Sequence, residues 1–310
     1  MKNTPSPAVP APIQALVRHF RAQRPLRGGS LLITLFGDAI APRGGAVTLG
    51  SLIRLAAPFG LTERLVRTAV ARLAREGWLA TRRSGRRSEY HLTRTGAARF
   101  AEATRRIYGE APREWDGRWT LVLLPASTPR QAQLREALRW LGFGPLASSV
   151  LAHPGATPRQ ARASLAKAGA GDALLLSSTS GQLRIDRALV ARGWDLGELS
   201  RRYRRFLARF CKVEAAVAAC TALPEQTAFL VRTLLIHEYR KIHLQDPLLP
   251  PALLPHDWVG MGAYRLSRRL YAQVFMGAEA YLSRTAHRLH GPLPRASSAA
   301  HARFGHLDAP

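Results

Sequence analysis

From Thr48 to Thr93 the spacing of apolar residues switches from a helical period to strict alternation with no linker between, an order few folds accommodate. The segment TLGSLIRLAAPFG places Leu52, Ile53 and Leu55 or Ala56 on one helical face, and Pro58 and Gly60 mark its end. The next segment, LTERLVRTAVARLAREG, opens with Thr62 at an N-cap position, turns Leu65, Val66, Ala69, Val70 and Leu73 inward, and stops at Gly77. Two helices separated by the FGLT turn make a helix-turn-helix pattern. WLATRR, SGRR and SEYHLT follow at period two on both sides of a glycine-containing turn, which predicts a hairpin in the position of a wing. A further helix is expected from Thr93 through Tyr108.

Burying the apolar stripe of the second helix leaves a face that carries Arg64, Arg67, Thr68, Ala71 and Arg72, with Thr62 at its start. Residues near the beginning of a recognition helix reach base edges, and arginine binds guanine O6 and N7 through two hydrogen bonds. Arg82, Arg83, Arg86 and Arg87 surround the hairpin tip, where side chains meet the DNA backbone or the adjacent minor groove. These ten residues are the candidate contacts to double-stranded DNA. The chain as a whole has 46 Lys plus Arg against 20 Asp plus Glu, a net charge of +26. Such an excess favours a polyanionic partner, because cations that contact phosphates release counterions. From Gly60 to Glu110 there are 12 Arg and 5 acids, so the excess coincides with the motif.

A length of 310 residues suggests several domains. Residues 1–28, rich in proline, are expected to form a flexible arm, and 29–112 the winged helix-turn-helix domain. In 113–190 the strand-length runs WTLVLLP and DALLLSS flank two predicted helices, TPRQAQLREALRWLG and TPRQARASLAKAG. That order suggests a ferredoxin-like α+β domain. Residues 191–290 are expected to be a helical C-terminal domain broken by QDPLLPPALLP, and 291–310 a disordered tail. The fold class is therefore α+β multidomain. Cys211 and Cys220 give neither a disulfide framework nor a zinc spacing, which fits a reducing, cytoplasmic compartment. Neither a secretory signal nor an apolar run of membrane-spanning length is present, so no membrane partner is expected.

Signals for catalysis are weak. His237 and Glu238 begin like a zinc-protease HExxH motif, but Lys241 stands where the second histidine belongs. The pairs His243 with Asp246 and His256 with Asp257 read as structural, and Asp172 and Asp186 form no metal cluster by spacing. No GxGxxG or P-loop is present, and neither cofactor nor metal is expected. Two rival classes remain: a nucleic-acid-binding protein without sequence preference, and an enzyme acting on CoA thioesters or phosphodiesters.

SLLITLFGDAI, the run VTLGSLIRLAAPFGLTERLVRTAVARLAREGWL, GRRSEYHLT, RIYG and WDGRWTLVLLP resemble PaaX-type repressors of phenylacetate degradation. The block FLVRTLLIHEYRKIHLQDPLLPPALLPHDWVGMGAYRLSRRLY resembles that family as well, so the likeness spans most of the chain. It implies a GntR-like winged helix, a ferredoxin-like middle domain, a helical C-terminal domain and a homodimer. The dimer would repress an aromatic catabolic operon and be released by an aryl-CoA thioester such as phenylacetyl-CoA. The resemblance supplies no contact list for that effector. A CoA thioester needs cations for its phosphates and an apolar wall for its acyl group, and the candidates are Arg240, Lys241 and His243, with Trp258 and Tyr264.

Overall fold

A computed structural model describes residues 9–24, 28–109, 114–124, 131–169 and 173–305. It is a mixed helix and sheet architecture that divides into two compact units, interleaved in sequence. The first comprises 1–109, 205–240 and 262–310; the second comprises 110–204 and 241–261.

The first unit opens with α1 (Ala11–Arg21), whose Ile13, Leu16, Val17 and Phe20 recur at helical spacing and are buried. The expected arm is thus in part a docked helix. Its periodic apolar stripe needed a core, and proline at the first turn favours helix initiation. Helix α2 (Gly28–Leu35) runs into a π-helical turn, Phe36–Ile40, and a 3-10 turn, Ala41–Arg43. Strand β1 (Ala46–Thr48) leads into α3 (Leu49–Ala56), and α4 (Glu63–Arg75) follows a turn in which Gly60 adopts φ of +84°. A side chain is rarely accommodated at that angle. Strands β2 (Leu79–Ser84) and β3 (Arg87–Leu92) form the expected hairpin, with Ser84 opposite Arg87 and a two-residue turn at Gly85 and Arg86. Strand β1 pairs antiparallel with β3, giving the order β1-β3-β2. Helix α5 (Arg94–Tyr108) starts at Thr93, whose hydroxyl accepts the Gly96 amide at 2.9 Å.

The second unit contains β4 (Trp119–Leu123), α6 (Gln131–Trp140), β5 (Gly144–Pro145), β6 (Val150–His153), α7 (Pro158–Lys167), β7 (Leu174–Ser178) and α8 (Leu183–Gly193). Its antiparallel sheet has the order β5-β6-β4-β7. Alternation along β4 sends Val122 toward Leu134, Leu138 and Leu165 on one face and Trp119 toward Val190 and Leu253 on the other. Edge strand β7 leaves Leu174 and Leu176, on one face of the sheet, exposed.

Three long helices complete the chain: α9 (Leu196–Ala218), α10 (Glu225–His243) and α11 (Gly260–Thr285). The remainder of the first unit is a short hairpin, β8 (His287–Arg288) with β9 (Gly291–Pro292), and a four-residue helix, α12 (Ser298–His301). The described part of the expected disordered tail is therefore folded. Phe304 is fully buried, edge-on to Tyr108 at 5.0 Å and to Tyr271 at 5.5 Å.

The core of the first unit is held by charge as well as by apolar packing. Asp38, on the π-helical turn, accepts from Arg232 Nε at 2.8 Å, Arg303 Nη1 at 2.9 Å, Tyr108 Oη at 2.7 Å and Tyr271 Oη at 2.9 Å. Glu279 takes a second nitrogen of Arg232 at 2.6 Å and pairs with Arg43. Burial pushes the Asp38 carboxyl up, but Arg232, Arg303 and the two tyrosine hydroxyls together outweigh it and hold it below the ordinary carboxylate range. Burial beside this carboxylate pushes Tyr271 to about 12.

Candidate nucleic-acid interface

The local sequence builds an exposed basic helix. Thr62 caps α4 by accepting the Leu65 amide at 3.3 Å, and Val66, Ala69, Val70 and Leu73 are buried. Leu65, expected to point inward, is instead 39% exposed, because burial of Val66 and Val70 turns position 65 to the helix flank. Arg64, Arg67, Thr68, Ala71 and Arg72 are all exposed. The Thr68 hydroxyl donates to the Arg64 carbonyl at 2.9 Å, Arg67 Nε donates to Glu63 at 2.8 Å, and Arg72 lies 3.5 Å from Glu76. Exposed pairs of this kind contribute little to stability and dissolve readily when a stronger anion arrives.

Arg82, Arg83, Arg86 and Arg87 are exposed on the β2–β3 hairpin. A cleft of about 520 Å³ brings Arg67 of α4 together with Arg86 and Arg87 of the hairpin and with Arg54 of α3. Of the ten sequence-predicted residues, Arg67, Arg86 and Arg87 meet in this concavity, and Thr62, Arg64, Thr68, Ala71, Arg72, Arg82 and Arg83 are not among its lining. Arg54 was missed by sequence reasoning; its only signal was a cation on the polar side of a short amphipathic helix. It is held in place by Ser51 Oγ at 3.0 Å and the Thr285 carbonyl at 3.2 Å.

The five effector candidates fall into different units. Arg240 and Tyr264 belong to the first, and Lys241, His243 and Trp258 to the second. Arg240 donates to the Ser30 carbonyl at 2.7 Å and to Thr34 Oγ1 at 2.8 Å, and burial brings its guanidinium down to about 10. Tyr264 meets Phe304 at 5.5 Å. In the second unit the Lys241 carbonyl accepts from Arg202 at 2.7 Å. His243 lies 3.0 Å from the hydroxyl of Tyr203, which donates to Asp246 at 2.8 Å and meets Trp258 edge-on.

Three of the residues considered for catalysis, His237, Asp186 and Asp257, have structural partners, and Asp257 is paired with an arginine and not with His256. His237 is buried 3.0 Å from Thr34 Oγ1, Asp186 accepts from the Trp119 indole at 2.8 Å, and Asp257 pairs with Arg204. Asp172 lies outside the described residues. Among the described residues no group of three His, Cys, Asp or Glu side chains is arranged to hold a metal ion, and no helix is long and apolar enough to cross a membrane.

Fold and site together define a class: a mixed helix and sheet protein that carries an arginine-rich helix and hairpin on its surface. Residues 27–96 match the model of the PaaX-like protein family, 112–190 that of the PaaX protein central Cas2-like domain, and 194–284 that of the PaaX-like protein C-terminal domain. The chain is 36% identical over 304 residues to the transcriptional repressor PaaX of Escherichia coli (strain K12), covering 96% of each sequence. It belongs to the PaaX family. Among solved structures, it is similar to an uncharacterized protein from Mycobacterium tuberculosis at 22% identity and a TM-score of 0.47, covering 74% of this chain and 89% of that one.

Proposed function

We propose that this chain is a sequence-specific, DNA-binding transcriptional repressor and not an enzyme. In this reading α3, α4 and the β2–β3 hairpin are a winged helix-turn-helix, with α4 as recognition helix and the hairpin as wing. The order β4-α6-β5-β6-α7-β7 with sheet order β5-β6-β4-β7 supports a ferredoxin-like reading of the middle segment. The observation that carries the function is the convergence of Arg67 on α4 with Arg86 and Arg87 on the hairpin in one basic cleft. Membership of a family that includes a named transcriptional repressor supports it.

The mechanism follows from that geometry. Arg64, Arg67, Thr68 and Ala71 face base edges in the major groove, while Arg82, Arg83, Arg86 and Arg87 hold the backbone. Two copies present two such helices to half-sites about 10 bp apart. The exposed Leu174 and Leu176 of β7 offer apolar surface for such pairing. An aryl-CoA thioester, phenylacetyl-CoA in the first instance, binds a dimer geometry that no longer matches the half-site spacing. Release requires that it bind the two geometries with different affinity. Arg240, Lys241, His243, Trp258 and Tyr264 are each to be tested singly as contacts of the thioester.

The test is a gel-shift titration on DNA upstream of the chain's own gene, against excess random competitor. A specific shift is expected that phenylacetyl-CoA dissolves and free phenylacetate does not. A specific shift indifferent to the thioester removes the effector assignment, and the absence of any specific shift removes the repressor.

A further inference from the structure

The cleft that joins Arg67 to Arg86 and Arg87 has a third wall, the β8–β9 hairpin, which sequence reasoning assigned to the end of the helical domain and the start of the tail. His287, Arg288, Leu289 and Gly291 line it. Among the described residues the lining contains Arg54, Arg67, Arg86, Arg87, Arg288 and His287 and no carboxylate.

The hairpin is fixed in this position by three backbone groups. The His287 amide donates to Ser51 Oγ at 2.9 Å, tying it to the first turn of α3. The Leu289 amide donates to Glu89 Oε1 at 2.8 Å, and Glu89, buried on β3, stands opposite Thr48 of β1 and Arg82 of β2. Just before the hairpin, the Thr285 carbonyl accepts from Arg54. A carboxylate buried within the first sheet therefore anchors a second hairpin beside it, and Arg54 is oriented by the same joint.

Arg67 is paired with Glu63, but Arg54, Arg86, Arg87 and Arg288 bring four further guanidinium groups to one concavity with no carboxylate among its lining, which favours an anion there. The lining includes Leu49 and Gly50 at the start of α3, whose amides precede the first intrahelical bond, while the Ser51 amide is taken by the Thr48 cap. Planar guanidinium groups and free amides match the oxygens of a phosphodiester. Resting on the DNA-binding reading above, we propose that this cleft receives the phosphate backbone of the bound duplex. The β8–β9 hairpin, through Arg288 and His287, is then a second clamp on the DNA alongside the β2–β3 hairpin.

The experiment compares the native full-length chain with Arg288→Ala, Arg288→Lys and Arg284→Ala on the duplex that the gel shift selects. Affinity is measured by fluorescence anisotropy across KCl concentrations. Arg284 pairs with Glu225 and is not among the cleft residues, so its variant controls for loss of charge alone. Loss of one phosphate contact lowers the slope of log affinity against log salt by about 0.9. That reduction is expected for Arg288→Ala, with most of the slope retained by Arg288→Lys and all of it by Arg284→Ala. Circular dichroism melting confirms that the variants fold. A native slope in folded Arg288→Ala, while the native chain still binds its duplex specifically, overturns the second clamp and leaves the repressor reading intact. A native chain that binds duplex DNA without salt dependence overturns both.

Discussion

At Asp38, one carboxylate answers two buried guanidinium groups and two hydroxyls, so its removal leaves charge without compensation. Asp38→Asn is expected to cost about 3–5 kcal/mol of folding stability, the usual penalty for breaking one side of a buried ion pair. Urea unfolding measures it, and a loss near zero would show that the cluster is not an energetic centre. Because the folded-state carboxyl titrates below its ordinary value, its contribution is complete above about pH 4 and fades as pH falls through the depressed value. The stability curve below pH 4 is therefore expected to be shallower in Asp38→Asn than in the native chain. At the candidate DNA contacts the expectation is one of specificity. Arg67→Ala is expected to weaken binding to the specific duplex by about 1–3 kcal/mol and to relax the choice at one base pair. Equal weakening on specific and scrambled duplexes would deny Arg67 a base-reading role.

At the scale of elements, the proposed reading gives α4 the bases and the β2–β3 hairpin the backbone. Arg86→Ala with Arg87→Ala is expected to lower the salt slope by about 1.8, with little change in the ratio of specific to scrambled affinity. Anisotropy titration separates the two effects, and a collapse of the ratio would transfer base reading to the hairpin. The elements that sequence reasoning located are those with strong local signals. Thr62 and Thr93 cap helices, Gly85 permits the tight turn, and the apolar period of α4 differs plainly from the alternation of β2 and β3. The elements it missed have weak or non-local signals. Strands β8 and β9 are two residues each, with their places fixed by Glu89 and Ser51, some 200 residues earlier. The π-helical turn at Phe36–Ile40 has no local motif, and the acceptor it supports at Asp38 is explained by the distant donors Tyr108, Arg232, Tyr271 and Arg303.

For the whole molecule, the chain order does not follow the order of compact units. Residues 205–240 and 262–310 share a unit with the N-terminal 109, although the pattern of runs along the sequence suggests successive blocks. The reason is visible in Arg232, Tyr271, Arg303 and Phe304, each of which completes a core begun by Asp38 and Tyr108. Deleting residues 297–310 is accordingly expected to lower the melting temperature of the first unit, and Phe304→Ala alone to cost about 3–5 kcal/mol. Thermal unfolding followed by circular dichroism checks both, and an unchanged transition would return the C-terminus to the status of a tail. The candidate DNA contacts on α4 and the β2–β3 hairpin were legible because each is a local exposed position. Arg54, a single cation on the short α3, was passed over, and His287 and Arg288 were not legible because only the fold carries them to the same cleft.

The claim that the basic helix and hairpin read DNA by sequence is tested most directly by the ratio of affinities for the specific duplex and a scrambled one of equal length and composition. Measured at one fixed salt concentration, the native chain is expected to prefer the specific duplex by about a thousandfold or more, and Arg64→Ala with Arg67→Ala to lose most of that preference while still binding both. A native ratio near one would contradict the account and leave a basic protein that binds nucleic acid by charge alone.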